Sequence, residues 1–310
     1  MCGLSIKDWG KFALLGLIWG SSFFWIKLGL RELPPLTLVA LRILLAAVVL
    51  TLVAWAGRVP VGGLRRWADF LVIGILNAAL PFFLITWSEQ HIPSGVASIL
   101  NSTVPLFTIL LSPWFVPEDR WTAPRVVGMG VGFLGVIVLL SPQAFSSGLS
   151  GSLSGHIGML LASICYAVSP IYARRRLSGL DPRVQALGQM WVAAALIIPI
   201  AGQVEAPLTL PRLPLSWLAV GWLGIVGSCA GNLLFYSLLN SVGPTRTALV
   251  SYLFPLVGVI LGVGLLAEPL TWQIFAGGVL IIGGVLLVNA RRLWFWPPRK
   301  ASGVHLLEEL

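Results

Sequence analysis

Charge is scarce in this chain. Only 10% of its 310 residues are charged, 57% are hydrophobic, and the mean hydropathy is +0.92. A soluble domain carries roughly 25% charged residues, so this chain has too few to cover a globule in water. The same shortage excludes intrinsic disorder, because disordered chains combine low hydrophobicity with high net charge. The composition therefore predicts an integral membrane protein in contact with the lipid bilayer.

Groups that perform chemistry are scarce too. The three cysteines are scattered, so neither a disulfide framework nor a metal knuckle is indicated. The three histidines lie in separate predicted loops, without the spacing of metal ligands. Neither paired carboxylates nor a serine–histidine–acid arrangement occurs in the predicted spans. We therefore predict no metal, no cofactor and no enzyme activity.

Ten apolar segments are long enough to cross a bilayer. A spanning helix needs about 20 mainly apolar residues, and charges, prolines and polar clusters separate the segments here. The predicted spans are 11–30, 35–56, 67–88, 93–113, 123–141, 155–173, 183–202, 215–239, 244–266 and 271–290. We therefore predict an all-α polytopic membrane protein with ten transmembrane helices.

Basic residues predict the orientation of these spans. They stand in short clusters between apolar stretches, such as Arg174-Arg175-Arg176, and no basic face suited to nucleic acid occurs. With ten spans, sixteen lysines and arginines lie on the side that holds both termini and three on the other side. Cytoplasmic loops are enriched in Lys and Arg, so both termini are predicted to be cytoplasmic. The expected location is a bacterial inner (plasma) membrane.

The two halves of the chain align with one another. At an offset of about 150 residues, tryptophan, proline and glutamate positions coincide. They include Trp67 with Trp217, Pro105 with Pro255, and Glu118 with Glu268. Each half holds five spans, an odd number, so the second half must cross the membrane in the opposite sense. We predict two inverted five-helix repeats, 11–141 and 155–290, and a cytoplasmic tail over 291–310, an arrangement typical of transporters.

Several motifs add a family resemblance. They are Trp19-Gly20-Ser21-Ser22, Arg42 in the second span, Trp87-Ser88-Glu89-Gln90-His91-Ile92-Pro93-Ser94-Gly95-Val96-Ala97 with Val104-Pro105-Leu106, Phe254-Pro255-Leu256, and Glu268-Pro269-Leu270-Thr271. Together they resemble the EamA-type transporters of the drug/metabolite transporter superfamily, over roughly residues 11–290. The resemblance implies ten helices in two inverted repeats and export of small metabolites, often amino acids and sometimes aromatic ones. In one departure, the second half places Gln189 where the first has Arg42, so any role of that arginine is not duplicated.

Four spans contain a proline well inside, and a polar residue precedes each proline by four positions. The pairs are Asn77–Pro81, Asn101–Pro105, Tyr166–Pro170 and Ser251–Pro255. A proline cannot donate to the carbonyl four residues earlier, so it kinks the helix and frees that acceptor. Freed carbonyls at membrane depth need protein, water or ligand to bind them. We predict that the four polar side chains line a substrate site between the repeats; the alternative is that each patches its own kink.

Arg42 and several aromatic residues complete the predicted site. Arg42 is the one unambiguous charge within a span, which favours a functional role, although snorkelling or pairing with a carbonyl is the alternative. Aromatic walls are expected from Trp19, Phe82, Tyr236 and Tyr252, although aromatic residues also serve as membrane anchors. We interpret Glu118 and Glu268, which follow the fourth and ninth spans, as caps of neighbouring helices or closers of a gate.

A glycine-rich motif has a structural interpretation. Residues 130–135 spell G-x-G-x-x-G, the dinucleotide-binding fingerprint, but that fingerprint requires a strand before it and a helix after it. Here it lies within an apolar span. Small residues that let two helices approach closely are the favoured explanation.

The predicted function is export of small metabolites, most of all amino acids, from the cytoplasm by alternating access. The alternatives are a passive facilitator or channel, and an exporter of other compounds such as drugs or nucleobases. The expected partners are a small-molecule substrate and the bilayer, without nucleic acid, in a monomer or homodimer. An intramembrane enzyme is disfavoured because paired acids and metal clusters are missing from the predicted spans.

Overall fold

The computed structural model describes residues 6–60, 66–115, 123–145, 151–206 and 209–294, and these ranges contain helices but no strands. The helices are α1 (Ile6–Gly29), α2 (Pro35–Ala56), α3 (Trp67–Gly74), α4 (Leu80–Ser88), α5 (Ser94–Asn101), α6 (Val104–Phe115), α7 (Ala123–Phe145), α8 (Gly151–Arg176), α9 (Pro182–Val204), α10 (Pro214–Gly221), α11 (Gly231–Val242), α12 (Pro244–Ala248), α13 (Leu253–Leu266) and α14 (Trp272–Trp294). Two π-helical segments, Ile75–Ala79 and Trp222–Ala230, join α3 to α4 and α10 to α11, and the 3₁₀ turn Leu249–Tyr252 joins α12 to α13.

Eight helical runs in the described ranges have the length and hydropathy of membrane spans. They are Lys7–Gly29, Pro35–Ala56, Trp67–Ser88, Ser94–Leu111, Leu153–Arg176, Pro182–Val204, Pro214–Val242 and Leu249–Leu266. The predicted fifth and tenth spans correspond to α7 and α14, whose apolar stretches, Val126–Ser141 and Trp272–Leu287, are shorter. The all-helical membrane class is therefore observed, while the count of ten spans stays a prediction.

Several helices extend past the predicted boundaries, by at most five residues, and the largest difference is at α1, which begins at Ile6 rather than at 11. The break predicted between 141 and 155 is shorter, because α7 continues to Phe145 and α8 begins at Gly151. At the other end of the second half, α14 continues to Trp294, past the predicted boundary of the tail at 291. Serine, proline and glycine residues predict the first of these boundaries and Arg291-Arg292 the second, but such residues are compatible with the last turns of a helix, where backbone groups lack intrahelical partners in any case. The rest of the predicted tail lies outside the described residues.

Prolines interrupt three of the four helices in which a kink is predicted. The π-helical segment Ile75–Ala79 immediately precedes α4 and its Pro81, and Ser102 and Thr103 form a turn between α5 and α6 ahead of Pro105. The 3₁₀ turn Leu249–Tyr252 precedes Pro255 in the same way. The fourth, Pro170, lies within an unbroken α8. Proline removes one backbone hydrogen bond, and the chain responds by a local change of helical winding only where the packing allows it.

Small residues bring helices into close contact. On α7, a Cβ added to Gly135 would lie 2.7 Å from the carbonyl oxygen of Gly277 on α14, so the two backbones touch. Gly284 of α14 lies equally close to the backbone of α7 at Gly132. Gly132 and Gly135 of the motif therefore serve helix packing, as predicted, whereas a Cβ added to Gly130 would meet no atom within 4 Å. Elsewhere, α2 packs along α9, α8 packs on α4, α5 and α6, and α1 packs on α13, α10 and α11.

Three carboxylates each bind the start of a helix in the other half of the chain. The carboxylate of Glu268 accepts hydrogen bonds from the backbone N–H groups of Ser94 and Gly95 (2.7 and 3.0 Å) at the start of α5. Glu205 does the same for Leu36 and Thr37 in α2 (3.0 and 2.7 Å). Helix N-termini carry free donors and a partial positive charge, which is why they bind carboxylates.

The third of these caps is made by Glu32. Its carboxylate accepts from the backbone N–H groups of Arg212 and Leu213 (2.6 and 3.2 Å), directly before α10. Hydrogen bonding from Ser216 and from these two N–H groups holds the pKa of Glu32 below its usual value, so the cap is ionised at neutral pH. The cap predicted for Glu268 is confirmed, whereas Glu118 lies outside the described residues.

Candidate functional site

A cavity lies among the interrupted helices. The volume of the cavity is about 80 Å³. The cavity is therefore narrow in this conformation. Its walls come from both halves of the chain and are mostly apolar, and they include Phe23, Ile26, Ile85, Val104, Phe235, Val250 and Phe254.

Seven of the nine predicted site residues line this cavity. They are Trp19, Arg42, Asn77, Phe82, Asn101, Tyr166 and Ser251. The other two are placed elsewhere: Tyr236 is fully buried behind the wall, and the hydroxyl of Tyr252 donates to the carbonyl of Val285 on α14 (3.4 Å). Both follow residues that do face the cavity, and one step along a helix turns a side chain by about 100°. The part that the seven play in binding a substrate stays a prediction.

Interrupted winding positions the polar side chains differently at each proline. Asn77, inside a π-helical segment, donates to the side-chain oxygen of Gln189 on α9 (2.9 Å). Ser251 instead donates to the carbonyl of Ala248 (2.9 Å), three residues earlier, and not to the carbonyl that Pro255 frees, which is its own. Asn101 accepts a long hydrogen bond from Ser163 of α8 (3.4 Å). Asn77 therefore contacts another helix and Ser251 bonds within its own turn, while the binding of a substrate by these side chains stays a prediction.

Arg42 brings a positive charge to the cavity wall. Its side chain is 4% exposed, and its Nε and Nη2 atoms donate to the hydroxyl of Ser228 (3.2 and 3.1 Å). The guanidinium carbon lies 4.0 Å from the centre of the Phe82 ring, a cation–π distance. In the described part of the chain no carboxylate forms an ion pair with Arg42. Because a guanidinium has five N–H donors, this arrangement leaves donors for a bound anion.

Trp19 is the centre of an aromatic wall. Its ring centre lies 5.4 Å from that of Phe235 and 6.3 Å from that of Phe254. Its indole N–H donates to the carbonyl of Gly227 (2.9 Å), inside the second π-helical segment, where altered winding frees carbonyls. The indole is thereby fixed in place. Sequence reasoning did not assign Phe235 or Phe254 to the site. The signal for Phe254 was the motif Phe254-Pro255-Leu256, and that for Phe235 was its place next to Tyr236.

A chain of buried amides supports the cavity from behind. Gln189 accepts from Asn77 and from the hydroxyl of Tyr236, and its own NH₂ group donates to Asn232 (2.8 Å). Asn232 in turn donates to the carbonyl of Ser228 (2.7 Å). Sequence reasoning singled out Gln189 only as the counterpart of Arg42 and missed Ser228 and Asn232. Their signal was the occurrence of amide and hydroxyl side chains in otherwise apolar spans.

The groups around the cavity are suited to binding a small molecule. The described residues contain no group of three or more His, Cys, Asp or Glu side chains that could hold a metal ion. The polar and aromatic groups that line the cavity are one guanidinium, a few amides and hydroxyls, and aromatic rings. Such walls suit a small molecule that combines a carboxylate with an apolar or aromatic part.

A helical membrane protein with an enclosed, mixed polar and aromatic cavity has the form of a small-molecule transporter. The chain belongs to the EamA-like transporter family, whose sequence profile matches it twice, over residues 10–141 and 153–290.

Relatives are similar along nearly the whole chain. The uncharacterized inner membrane transporter YedA of Escherichia coli K12 is 32% identical over 294 residues, which is 92% of each chain. A probable amino-acid metabolite efflux pump of Salmonella typhimurium is 28% identical over 92% of this chain and 95% of that protein. One crystal structure superposes with a TM-score of 0.68 at 22% identity, over 93% of this chain and 99% of that chain, and so shares the fold. The family and these relatives are transporters, which points away from an enzyme.

Proposed function

We propose that this protein exports small metabolites from the cytoplasm, amino acids above all, and that it binds them in the cavity beside Arg42. The observation that carries the proposal is the buried guanidinium of Arg42, which lines an apolar cavity and has no carboxylate partner among the described residues. A buried charge is stabilised only by a partner. A substrate carboxylate supplies one.

The aromatic wall extends the proposal to the substrate's side chain. Trp19, Phe235 and Phe254 offer ring faces and edges within a few ångströms of one another, and Phe82 lies on the side of Arg42. Apolar and aromatic amino acids fit these walls best, because aromatic pairs gain about 0.5–1.5 kcal/mol beyond the burial of their area. The name of the Salmonella relative, a probable amino-acid metabolite efflux pump, supports the same substrate class.

Alternating access rests on the relation between the two halves. The family profile matches each half separately, and helix contacts recur in pairs: α8 packs on α4 as α1 packs on the α10–α11 run, and α8 packs on α5 as α1 packs on α13. These pairs are what two five-helix repeats related by a two-fold axis would produce. With five spans in each half the repeats are inverted, which lets one site open to either side of the membrane.

Binding is tested with the purified protein and a matched series of ligands. Apolar and aromatic amino acids should raise the melting temperature in a concentration-dependent way, because a ligand that binds only the folded state stabilises it. The corresponding amino-acid amides, which lack the carboxylate, should raise it much less. Equal stabilisation by acid and amide would contradict a carboxylate site at Arg42. Counterflow of the best ligand in proteoliposomes then tests transport itself.

Orientation is tested by cysteine labelling in a cysteine-free background. Single cysteines at Ser150 and Gln203 should react with an impermeant thiol reagent added outside cells, whereas cysteines at Gly63 and Ser302 should not. The expectation follows from the sixteen-to-three distribution of basic residues. External labelling of the second pair would contradict ten spans with both termini in the cytoplasm.

A passive facilitator is the second candidate. The described residues that line the cavity include no Asp or Glu, so the cavity itself offers no carboxylate to bind a proton in exchange for substrate. Transport assayed with and without an imposed proton gradient separates the two candidates. A facilitator brings the substrate to equal concentrations on both sides, whatever the gradient.

A further inference from the structure

One buried carboxyl group stands apart from the helix caps. Glu89 follows the last residue of α4, its side chain is 0% exposed, and neither of its carboxyl oxygens has a hydrogen-bond partner among the described residues. Glu32, Glu205 and Glu268 each accept two backbone hydrogen bonds or more instead. A buried carboxyl without partners strongly disfavours its ionised form, whereas a capping carboxylate favours it.

The nearest cation does not neutralise this carboxyl by a hydrogen bond. The ammonium group of Lys27 on α1 donates to the backbone carbonyls of Glu89 and of Ile92 (2.9 Å for the latter), at the C-terminal end of α4. A cation at this position caps the negative end of the helix. The side-chain oxygens of Glu89 therefore interact with the surrounding charges only through longer-range electrostatics.

Charged groups from several elements make up that field. Lys27, Arg42 and Glu268 all act electrostatically on Glu89, and Arg31 shares a pocket with Lys27, Glu89 and Glu268. His91 lies in the loop after α4, and His156 lies on α8, which packs against that loop at Gly155. Glu89 sits one residue beyond the span Trp67–Ser88, and burial raises the pKa of its carboxyl well above the usual range. Glu268 acts in the same direction, and Lys27 and Arg42 oppose it.

Glu89 stands between two spaces. The pocket that it helps to line lies at the ends of α1, α4 and α13, on the face that the basic residues assign to the outside. Toward the other side, Ile85 lies one helical turn earlier on α4 and lines the substrate cavity, as does Arg42. A group that exchanges a proton between an outer pocket and a transport cavity needs this position.

A metal ion is the less suitable occupant. Lys27, Arg31 and Arg42 outnumber the two carboxyl groups near the pocket, so the local charge repels a cation that would need several oxygen ligands. The described residues contain no cluster of three acidic, histidine or cysteine side chains suited to such an ion. A proton needs a single carboxyl oxygen.

We propose that Glu89 is a proton-binding site that couples export to the proton gradient. This proposal rests on the proposed function of export. A protonated, neutral Glu89 can be buried, so the outer pocket closes over it as in this structure. When the proton leaves toward the cytoplasmic side, the resulting carboxylate requires water, and the equilibrium shifts toward the conformation that opens the outer pocket. There the carboxylate takes a proton from outside, and one proton enters for each cycle that releases substrate.

The proton site is tested first without any substrate. Infrared difference spectra of the purified protein in H₂O and D₂O should show a protonated carboxyl group at neutral pH. Glu89→Gln should remove that signal, whereas the control Glu32→Gln should keep it, because hydrogen bonds hold the pKa of Glu32 below its usual value. The same protonated-carboxyl signal in wild type and Glu89→Gln would overturn the proposal.

Coupling is tested in proteoliposomes with the amino acid found by the ligand series. An imposed proton gradient should drive uphill transport by the wild type. Glu89→Gln should lose this response and slow counterflow as well, because a side chain that stays neutral favours the closed outer pocket. A variant that responds to the gradient as the wild type does would overturn the proposal. If the wild type transports no amino acid, the proposed function fails, but the infrared result still decides the proton site.

A conservative variant covers the case in which Glu89→Gln does not fold. Glu89→Asp keeps a carboxyl group and moves it by one methylene, so the pH at which the infrared signal disappears should shift relative to the wild type. An unchanged titration in Glu89→Asp would show that another group carries the signal, which also overturns the proposal.

Discussion

Arg42 and Gln189 occupy matching places in the two halves and have different surroundings. Arg42, on α2, donates to Ser228 in the second π-helical segment, and Gln189, on α9, accepts from Asn77 in the first. Both are buried. Gln189 has partners for its oxygen and its NH₂ group and lies behind the cavity, whereas Arg42 lines the cavity and keeps donors to spare. Each of the two side chains therefore holds a π-helical segment of the other half of the chain, and only Arg42 adds a charge.

Arg42→Gln removes this difference most directly, because it places a glutamine at position 42, as at position 189. Hydrogen bonds to charged groups contribute about 1.5–3 kcal/mol. The apparent affinity for amino acids, measured by counterflow, should therefore fall roughly 10- to 100-fold. Size-exclusion profiles should stay unchanged. Arg42→Lys should retain part of the activity, and Arg175→Gln, at an exposed position on α8, is the matched control. Wild-type affinity in Arg42→Gln would contradict a role for this charge in binding substrate.

Gln189→Leu breaks the other copy and should affect stability instead. The change removes the acceptor for Asn77 and Tyr236 and the donor to Asn232. Hydrogen bonds between membrane helices contribute about 0.6–1.7 kcal/mol each, so the loss should reach roughly 1–3 kcal/mol in the free energy of unfolding. Thermal unfolding in detergent measures it, with Gln203→Leu at an exposed position of α9 as the control. A larger effect on substrate affinity than on stability would mean that Gln189 acts as Arg42 does.

Ser228→Ala sharpens the comparison with the smallest expected effect. The hydroxyl accepts from two nitrogens of Arg42, so its removal frees the guanidinium to turn without removing its charge. We expect a change in apparent substrate affinity of no more than about five-fold, which corresponds to roughly 1 kcal/mol. Competition between a labelled and an unlabelled amino acid in counterflow measures it. An effect as large as that of Arg42→Gln would make Ser228 a direct substrate contact.

Sequence reasoning located part of the cavity wall, including most of its polar side chains, through a chemical rule. A proline removes a known hydrogen bond, so the polar residue four positions earlier is a sensible candidate, and all four such residues line the cavity. The rule fails where winding depends on neighbours. Pro170 leaves α8 unbroken, and the π-helical segment Trp222–Ala230 forms without a proline. Tertiary packing decides these cases, and no local pattern encodes it.

Two further residues show the limit of reasoning from spans alone. In the sequence, Glu89 stands out only as part of a family motif just after the third predicted span. Its burial depends on Lys27, the loop to Ile92 and α8, which lie far apart in sequence or fold back on it. Glu268 was interpreted correctly because its partner, a helix start, follows from a general preference of carboxylates. Electrostatic rules transfer from sequence, whereas burial does not.

The carboxylate caps on one face of the molecule have a kinetic consequence. Glu32 ties the first half to the start of α10, and Glu205 and Glu268 tie the second half to the starts of α2 and α5. For these helices to part, three sets of hydrogen bonds must exchange protein partners for water within one movement. The protein without substrate should therefore be closed on this face most of the time. The rate of a transport cycle would then be limited by how often all three sets of hydrogen bonds break together.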